Sequence, residues 1–245
     1  MKTHAFWTKD VDPALQAKLM LCFDKSFKQK SADGYFDWKY KENPAGDSLH
    51  VFTETEGEVV ASRVFWRMDL PNQRGYQCVD TAVLESFRGR GLFSRSIDIA
   101  KEVLNGDLIY NLPNSQSGPL YLKKGWAIID NSESIRLVNR FSLKNSPEIH
   151  WNEDMLEWRF TRHPVSNYFQ CRVDDDAYIF ARRRGMFYVL MGKTSHCVNL
   201  QCRRPHFFFS YDRSVRGVRI RKCLPLMYHA GGSPPLINRY LLDMA

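Results

Sequence analysis

The chain has no Cys-x-x-Cys pair, no His pair at zinc spacing and no apolar run as long as a membrane span. Each absence excludes a class. Six cysteines stand at 22, 78, 171, 197, 202 and 223. Without paired spacing they read as reduced thiols rather than a disulfide framework or a metal centre, so no metal is expected. A bilayer helix needs about 20 consecutive apolar residues, and the N-terminus lacks the basic-then-apolar pattern of a secretory signal. The expectation is a cytoplasmic globular protein. No Ser-His-Asp spacing suggests nucleophilic catalysis.

Acid is scarce in one stretch. Residues 203–222 hold Arg203, Arg204, Arg213, Arg216, Arg219, Arg221 and Lys222 against Asp212, with Phe207, Phe208, Phe209 and Tyr211 among them. Basic residues with interleaved aromatics can grip nucleic acid. They can equally be strands with a charged outer face and an aromatic inner one. No nucleic-acid module pattern is present, which favours strands and argues against a nucleic-acid partner. The whole chain carries a net charge of +8, which suits an anionic co-substrate. At 245 residues, 44% hydrophobic and 25% charged, it has the size and composition of one large globular domain or two small ones.

Period and punctuation predict an order of elements. Asp12-Pro13 starts a helix, with Asp as N-cap and Pro in the first turn. Leu15, Leu19, Cys22, Phe23 and Phe27 form its apolar stripe. A short helix is expected at Tyr35 to Tyr40. Leu49 to Thr53 and Val59 to Met68 read as a hairpin about Glu56-Gly57. A turn follows at Pro71-Asn72, then a strand from Gly75 to Leu84. A helix at about 92 to 105, a strand at 107 to 111, a helix at 117 to 124 and strands within 127 to 143 complete an α-α-β-β-β-α-β-α-β order. The fold class expected is α/β with a mixed sheet.

The stretch Arg88-Gly89-Arg90-Gly91-Leu92-Phe93 joins that central strand to a helix. Such a junction aims free backbone N–H groups and the positive end of the helix dipole at one point, a seat for a pyrophosphate. Gly89 and Gly91 allow close approach, and Arg88 and Arg90 add charge. The stretch resembles the acyl-CoA loop of the GNAT superfamily of N-acyltransferases, Gln/Arg-x-x-Gly-x-Gly/Ala. Arg88 and Gly91 fill the first two fixed positions. Phe93 departs from the last, where a small residue is usual. A second segment, Asn114 to Trp126, resembles the family's Asn, Tyr seven residues on, and Lys-rich turn ending in Gly and an aromatic. Asn114, Tyr121, Lys123, Lys124, Gly125 and Trp126 fall on those positions. The resemblance covers about residues 10 to 140.

It implies an N-acetyltransferase that moves an acetyl group from acetyl-CoA to a primary amine by direct attack. Arg88, Gly89, Arg90, Gly91, Leu92 and Phe93 would hold the pyrophosphate. Pantetheine would enter between the strands that end at Leu84 and at residue 111. A backbone N–H at Val83 or Leu84 would polarise the thioester carbonyl. Asn114 would hold the pantetheine amide, and Tyr121 would protonate the departing thiolate as general acid. Asp80 and Glu85 are candidate bases, neither assigned. Trp38 and Tyr40 lie where such folds admit the acceptor, though Trp38 also reads as core. The segments FDWKY…NP and LPN…LYLKKGW resemble branches associated with amino sugars of surface polysaccharides, which implies an amino-sugar acceptor. Two other readings stay open: a non-catalytic module binding CoA or nucleic acid, and a tandem-GNAT aminoacyl transferase.

Beyond Asn145-Ser146-Pro147 a pattern repeats. Phe36-Asp37-Trp38-Lys39-Tyr40 and Asn43-Pro44 resemble Leu156-Glu157-Trp158-Arg159-Phe160 and His163-Pro164 at a constant offset. Strands are expected after the second copy, at 168–173, 177–182 and 186–191. The expectation is a GNAT-like domain at 1–145 and a degenerate, smaller mixed α/β GNAT-like unit at 146–245 that has lost its cofactor loop.

Overall fold

The computed structural model describes residues 1–70, 73–130, 134–139, 143, 148–173, 176–182, 188–210, 217–222 and 226–229. Pro71-Asn72, the segment 144–147, Met186 and Arg216 lie outside them. Two compact units result. One holds Met1–Ile129 and the strand Leu226–His229; the other holds the described residues from Asp130 to Lys222. The division does not fall at 145. Ser134–Asn139 belongs with the second unit, and a strand from near the end of the sequence belongs with the first.

The first unit opens with strand β1 (Lys2–Trp7), which the sequence reading missed. Helix α1 (Pro13–Phe27) starts where expected, with Asp12 Oδ1 accepting from Leu15 N–H at 2.7 Å. Such a cap contributes about 1 kcal/mol. The expected second helix is one π-helical turn, Asp37–Lys41. Strands β2 (Leu49–Thr55) and β3 (Glu58–Arg67) form a hairpin about Glu56-Gly57, both at positive φ, 51° and 80°. Paired left-handed residues match the twist of adjoining strands. Strand β4 (Gly75–Val83) lies antiparallel to β3. Helix α2 (Leu92–Val103) then crosses over to β5 (Leu108–Asn111), parallel to β4. Leu92, Ser96, Ile97 and Ala100 give α2 its buried face. Helix α3 (Gly118–Lys123) and strand β6 (Ala127–Asp130) follow.

The seven-stranded sheet of this unit runs β1-β2-β3-β4-β5-β13-β6, where β13 is Leu226–His229. One core cluster joins Leu49, Val51, Phe65 and Tyr76 of the strands to Ile97 and Ala100 of α2 and Tyr121 of α3.

The second unit holds β7 (Ser134–Asn139), a short helix α4 (Glu153–Leu156), a second π-helical turn (Glu157–Thr161), and strands β8 (Tyr168–Val173), β9 (Asp176–Arg182), β10 (Tyr188–Thr194), β11 (Phe207–Ser210) and β12 (Val218–Lys222). Its sheet runs β12-β7-β11-β10-β9-β8. Leu156, Phe160, Tyr168, Ile179 and Val189 share its core. Of the basic stretch, Phe207–Ser210 and Val218–Lys222 are strands. Phe208 is buried, whereas Phe207 and Val218 are exposed. The protein is thus a mixed α/β structure with two mixed sheets. Among the described residues, no helix is long and apolar enough to cross a membrane.

Candidate functional site

The expected loop forms at the end of β4. Gly89 and Gly91 sit at φ 76° and 75°, a left-handed backbone that L side chains adopt only with strain. Gly91 is the N-cap of α2, and no side chain caps that helix. The first helical bond runs from Arg95 N–H to the Gly91 carbonyl at 3.0 Å. The N–H groups of Leu92, Phe93 and Ser94 precede any intrahelical acceptor. Arg88 Nε donates to the Val83 carbonyl at 3.3 Å, and Arg90 Nη2 to the Ser86 carbonyl at 3.1 Å. Arg88, Gly89, Arg90 and Gly91 are exposed, while Leu92 is buried against Val60 and Ala61. An uncapped helix start behind two left-handed glycines fits a phosphate group.

Strands β4 and β5 pair only at Gly75–Gln77 with Leu108–Tyr110. From Cys78 onward β4 has no ladder partner on that side among the described residues. On its other side β4 carries a bulge: Ser62 pairs with Ala82 but Val64 with Val79, leaving Asp80 and Thr81 opposite Arg63. Asp80 has φ 46°, an uncommon value for a residue with a side chain. Leu84 N–H donates to the Val60 carbonyl at 3.0 Å. That commitment removes Leu84 as a donor to a ligand. Alternation along an antiparallel pair then turns Val83 N–H toward the open edge.

Tyr121 lies on α3 and is 1% exposed. Its hydroxyl accepts from Asn111 Nδ2 at 2.7 Å. Its ring stands edge-on to Trp126 at 4.5 Å and to Phe93 at 5.3 Å. Burial raises its pKa far above the ordinary phenol value; the nearby Arg63 charge opposes the rise. The phenol therefore carries its proton at neutral pH. Burial likewise pushes the neighbouring Cys78 thiol up to about 11.

Asn114 does not join this group. Its Oδ1 accepts from Gln116 N–H, Ser117 N–H and Ser117 Oγ at 2.9–3.0 Å, closing the turn before α3. An Asn followed by a Ser-Gln-Ser turn satisfies its own backbone. The asparagine beside Tyr121 is Asn111, at the end of β5, which sequence reasoning overlooked. Phe93 turns its ring onto the sheet, so its departure from the small residue of the motif leaves its N–H in the helix start.

Arg63 was also overlooked. It is 1% exposed, and its Nε donates to Thr81 Oγ1 at 3.1 Å. Its guanidinium carbon lies 3.8 Å from the centre of the Phe93 ring and 5.7 Å from that of Tyr121. An arginine inside the apolar run Val59 to Trp66 was the available signal.

Arg63 also lines a cleft of the first unit, with Tyr35, Phe36, Tyr40, His50 and Asp80 and with Leu19 of α1. Asp80 is held there. Lys39 Nζ lies 3.1 Å from its Oδ1, and the Tyr40 hydroxyl donates to its Oδ2. Lys39 and Trp38 are themselves buried. Glu85 sits exposed in a short 3-10 turn. Among the described residues, no group of three or more His, Cys, Asp or Glu could hold a metal ion.

No family model and no curated protein matches the sequence. Solved structures do. A GCN5-related N-acetyltransferase from Kribbella flavida is 12% identical; the match covers 94% of this chain and 72% of that one, at a TM-score of 0.60. Eis1 from Mycobacterium abscessus is 9% identical, covering 94% of this chain and 74% of that one, also at 0.60. A GCN5-related N-acetyltransferase from Anabaena variabilis is 13% identical, covering 92% and 72%, at 0.54. These identities speak for the fold alone, and the coverage takes in both units. The chain carries the fold of the GCN5-related N-acetyltransferases, the GNAT superfamily.

Proposed function

We propose that the first unit is an acyl-CoA-dependent N-acyltransferase acting on a primary amine. The observation that carries this reading is the buried Tyr121 phenol, held by Asn111 where β4 and β5 part and beside both Phe93 and Arg63. The uncapped α2 start with Gly89 and Gly91 would take the pyrophosphate of CoA. A bound acyl-CoA supplies an activated thioester carbonyl. Val83 N–H, on the open edge of β4, would donate to that carbonyl oxygen as negative charge builds on it. The amine nitrogen bonds to the carbonyl carbon as the C–S bond breaks. Tyr121 gives its proton to the leaving sulfur, and the proton shed by the amide nitrogen restores the Tyr121 phenol through solvent. Arg88 and Arg90 add charge beside the loop.

Acetyl-CoA is the donor that the sequence resemblance implies. The acceptor proposed is an amino sugar entering the Tyr40–Asp80 cleft. One observation supports that class: the aromatic walls of the cleft suit a sugar face. The second unit is proposed to be a degenerate GNAT-like domain without a cofactor site. One observation favours a non-catalytic CoA-binding reading instead: Asp80 is already engaged by Lys39 and Tyr40, so no free carboxylate base stands in the cleft.

Free-thiol release from acetyl- and succinyl-CoA with a panel of amines, amino sugars included, decides between them. Tyr121→Phe is expected to lower turnover about a hundredfold while leaving CoA affinity nearly intact. Full turnover in that variant would remove Tyr121 from the chemistry. No thiol release with any amine, despite CoA binding, would leave the non-catalytic reading.

A further inference from the structure

The buried arginine of β3 has no counter-charge among the described residues. Arg63 Nη1 and Nη2 are both buried and hydrogen-bonded to nothing. Among the described residues, no carboxylate forms an ion pair with Arg63, and the acid nearest in sequence across the bulge, Asp80, is paired with Lys39. A guanidinium keeps its charge wherever it is placed. Burying one with both of its NH2 groups unpartnered and no anion is costly. Phe93 and Tyr121 offset part of that cost with their ring faces.

Two departures then become one feature. Phe93 stands where the family motif has a small residue, and its ring covers the guanidinium of Arg63. The ring lies over the guanidinium, and both Nη atoms are buried with their hydrogen-bonding capacity unused. The fork lies in the shell of Thr81, Phe93 and Tyr121, against the stretch of β4 that has parted from β5.

We propose that Arg63 receives a carboxylate at the far end of the acyl group, so that the preferred donor is a dicarboxylic acyl-CoA of the malonyl or succinyl class. The proposal rests on the acyltransferase reading above and deepens it. Two N–H groups in a planar fork match the two oxygens of a carboxylate. Arg63 forms and breaks no bond; it selects the donor. The product would be an amide whose acyl chain still ends in a carboxylate.

Calorimetry with CoA, butyryl-CoA and succinyl-CoA tests this without turnover. Butyryl and succinyl chains have similar length and differ in the terminal carboxylate. The wild type is expected to bind succinyl-CoA about tenfold to a hundredfold more tightly than butyryl-CoA. Arg63→Met is expected to bring the two within about threefold, with affinity for CoA itself unchanged. Equal wild-type affinity for the two thioesters overturns the proposal, and that comparison stands even if the variant does not fold. A variant that loses turnover equally with acetyl- and succinyl-CoA, keeping their ratio, also overturns it; the guanidinium would then serve the leaving sulfur. If CoA itself does not bind, the acyltransferase reading fails first.

Discussion

The two units share a frame and differ in one connection. Each has a single π-helical turn carrying a buried tryptophan, Trp38 or Trp158. The residues that close the two turns have nearly the same backbone, φ −91° and ψ 6° at Glu42, φ −90° and ψ 6° at Arg162. The next residue in each turn is a buried cation, Lys39 or Arg159, and the one after it a buried aromatic, Tyr40 or Phe160. Three antiparallel strands follow, and a parallel one beside the third: β2-β3-β4-β5 in one unit, β8-β9-β10-β11 in the other. The third strand pairs with a register shift in both, at Ser62/Val64 against β4 and at Leu190/Gly192 of β10. What joins the third strand to the parallel one is not shared. The first unit has the glycine loop and α2 there. The second has residues 195–206, which contain no helix. A parallel crossover needs about a dozen residues, helical or not. The sheet therefore survives without the helix, but the phosphate seat does not.

The last strands are exchanged. β5 is flanked by β13, antiparallel, and β11 by β7, also antiparallel. Relative to a boundary at 145, each unit thus takes its strand at that place from across the boundary.

The sharpest way to break the comparison is to count cofactors. Gly91→Asp puts a carboxylate and a side chain at a left-handed position beside the helix start. It is expected to abolish CoA binding in a chain that still folds. The wild type should bind one CoA per chain by calorimetry. Two per chain, or binding that survives Gly91→Asp, would show a site where the second unit has none, or a phosphate seat elsewhere.

The tryptophans test the shared frame. Trp38 is 5% exposed and Trp158 0%. Removing either ring leaves a cavity, and Trp→Ala at each is expected to cost about 3–5 kcal/mol. Denaturant unfolding of both variants measures it. A near-neutral effect at one site would mean that the two turns look alike but support their units differently.

Much of this frame was legible because it is local. The π-turn pattern, the Glu56-Gly57 hairpin and the strand–glycine–helix junction all signal within a few residues. β1 was not legible: it is an edge strand paired only with β2, and all six of its residues are of intermediate exposure or exposed, in no clean alternation that marks a strand. The strand exchange was not legible either, since β5 and β13 pair across nearly half the chain and nothing in either segment names its partner. At the site, Tyr121 and the glycine loop carried motif spacing. Asn111 and Arg63 did not; their roles come from what lies beside them in space.

The smallest effect distinguishes the frames by charge. At the offset that aligns Trp38 with Trp158, His50 aligns with Gln170. Both are buried. His50 Nε2 lies 3.1 Å from Thr8 Oγ1, and its ring packs on Phe36 and Tyr40 of the first π-turn. Burial lowers its pKa from 6.5 to about 3. The folded imidazole stays neutral down to that value, while the unfolded one takes a proton below 6.5. The unfolded state therefore binds the extra proton between those limits. The stability associated with neutral His50 is fully present above pH 6.5 and falls as pH drops toward 3, by about 1.4 kcal/mol per pH unit inside the window. His50→Gln installs the neutral amide of the second unit and is expected to remove that slope. Urea unfolding of wild type and variant at intervals from pH 4 to pH 7 checks it. Parallel curves for the two proteins would show that His50 is protonated in the folded chain, and that the first frame is no more acid-sensitive than the second.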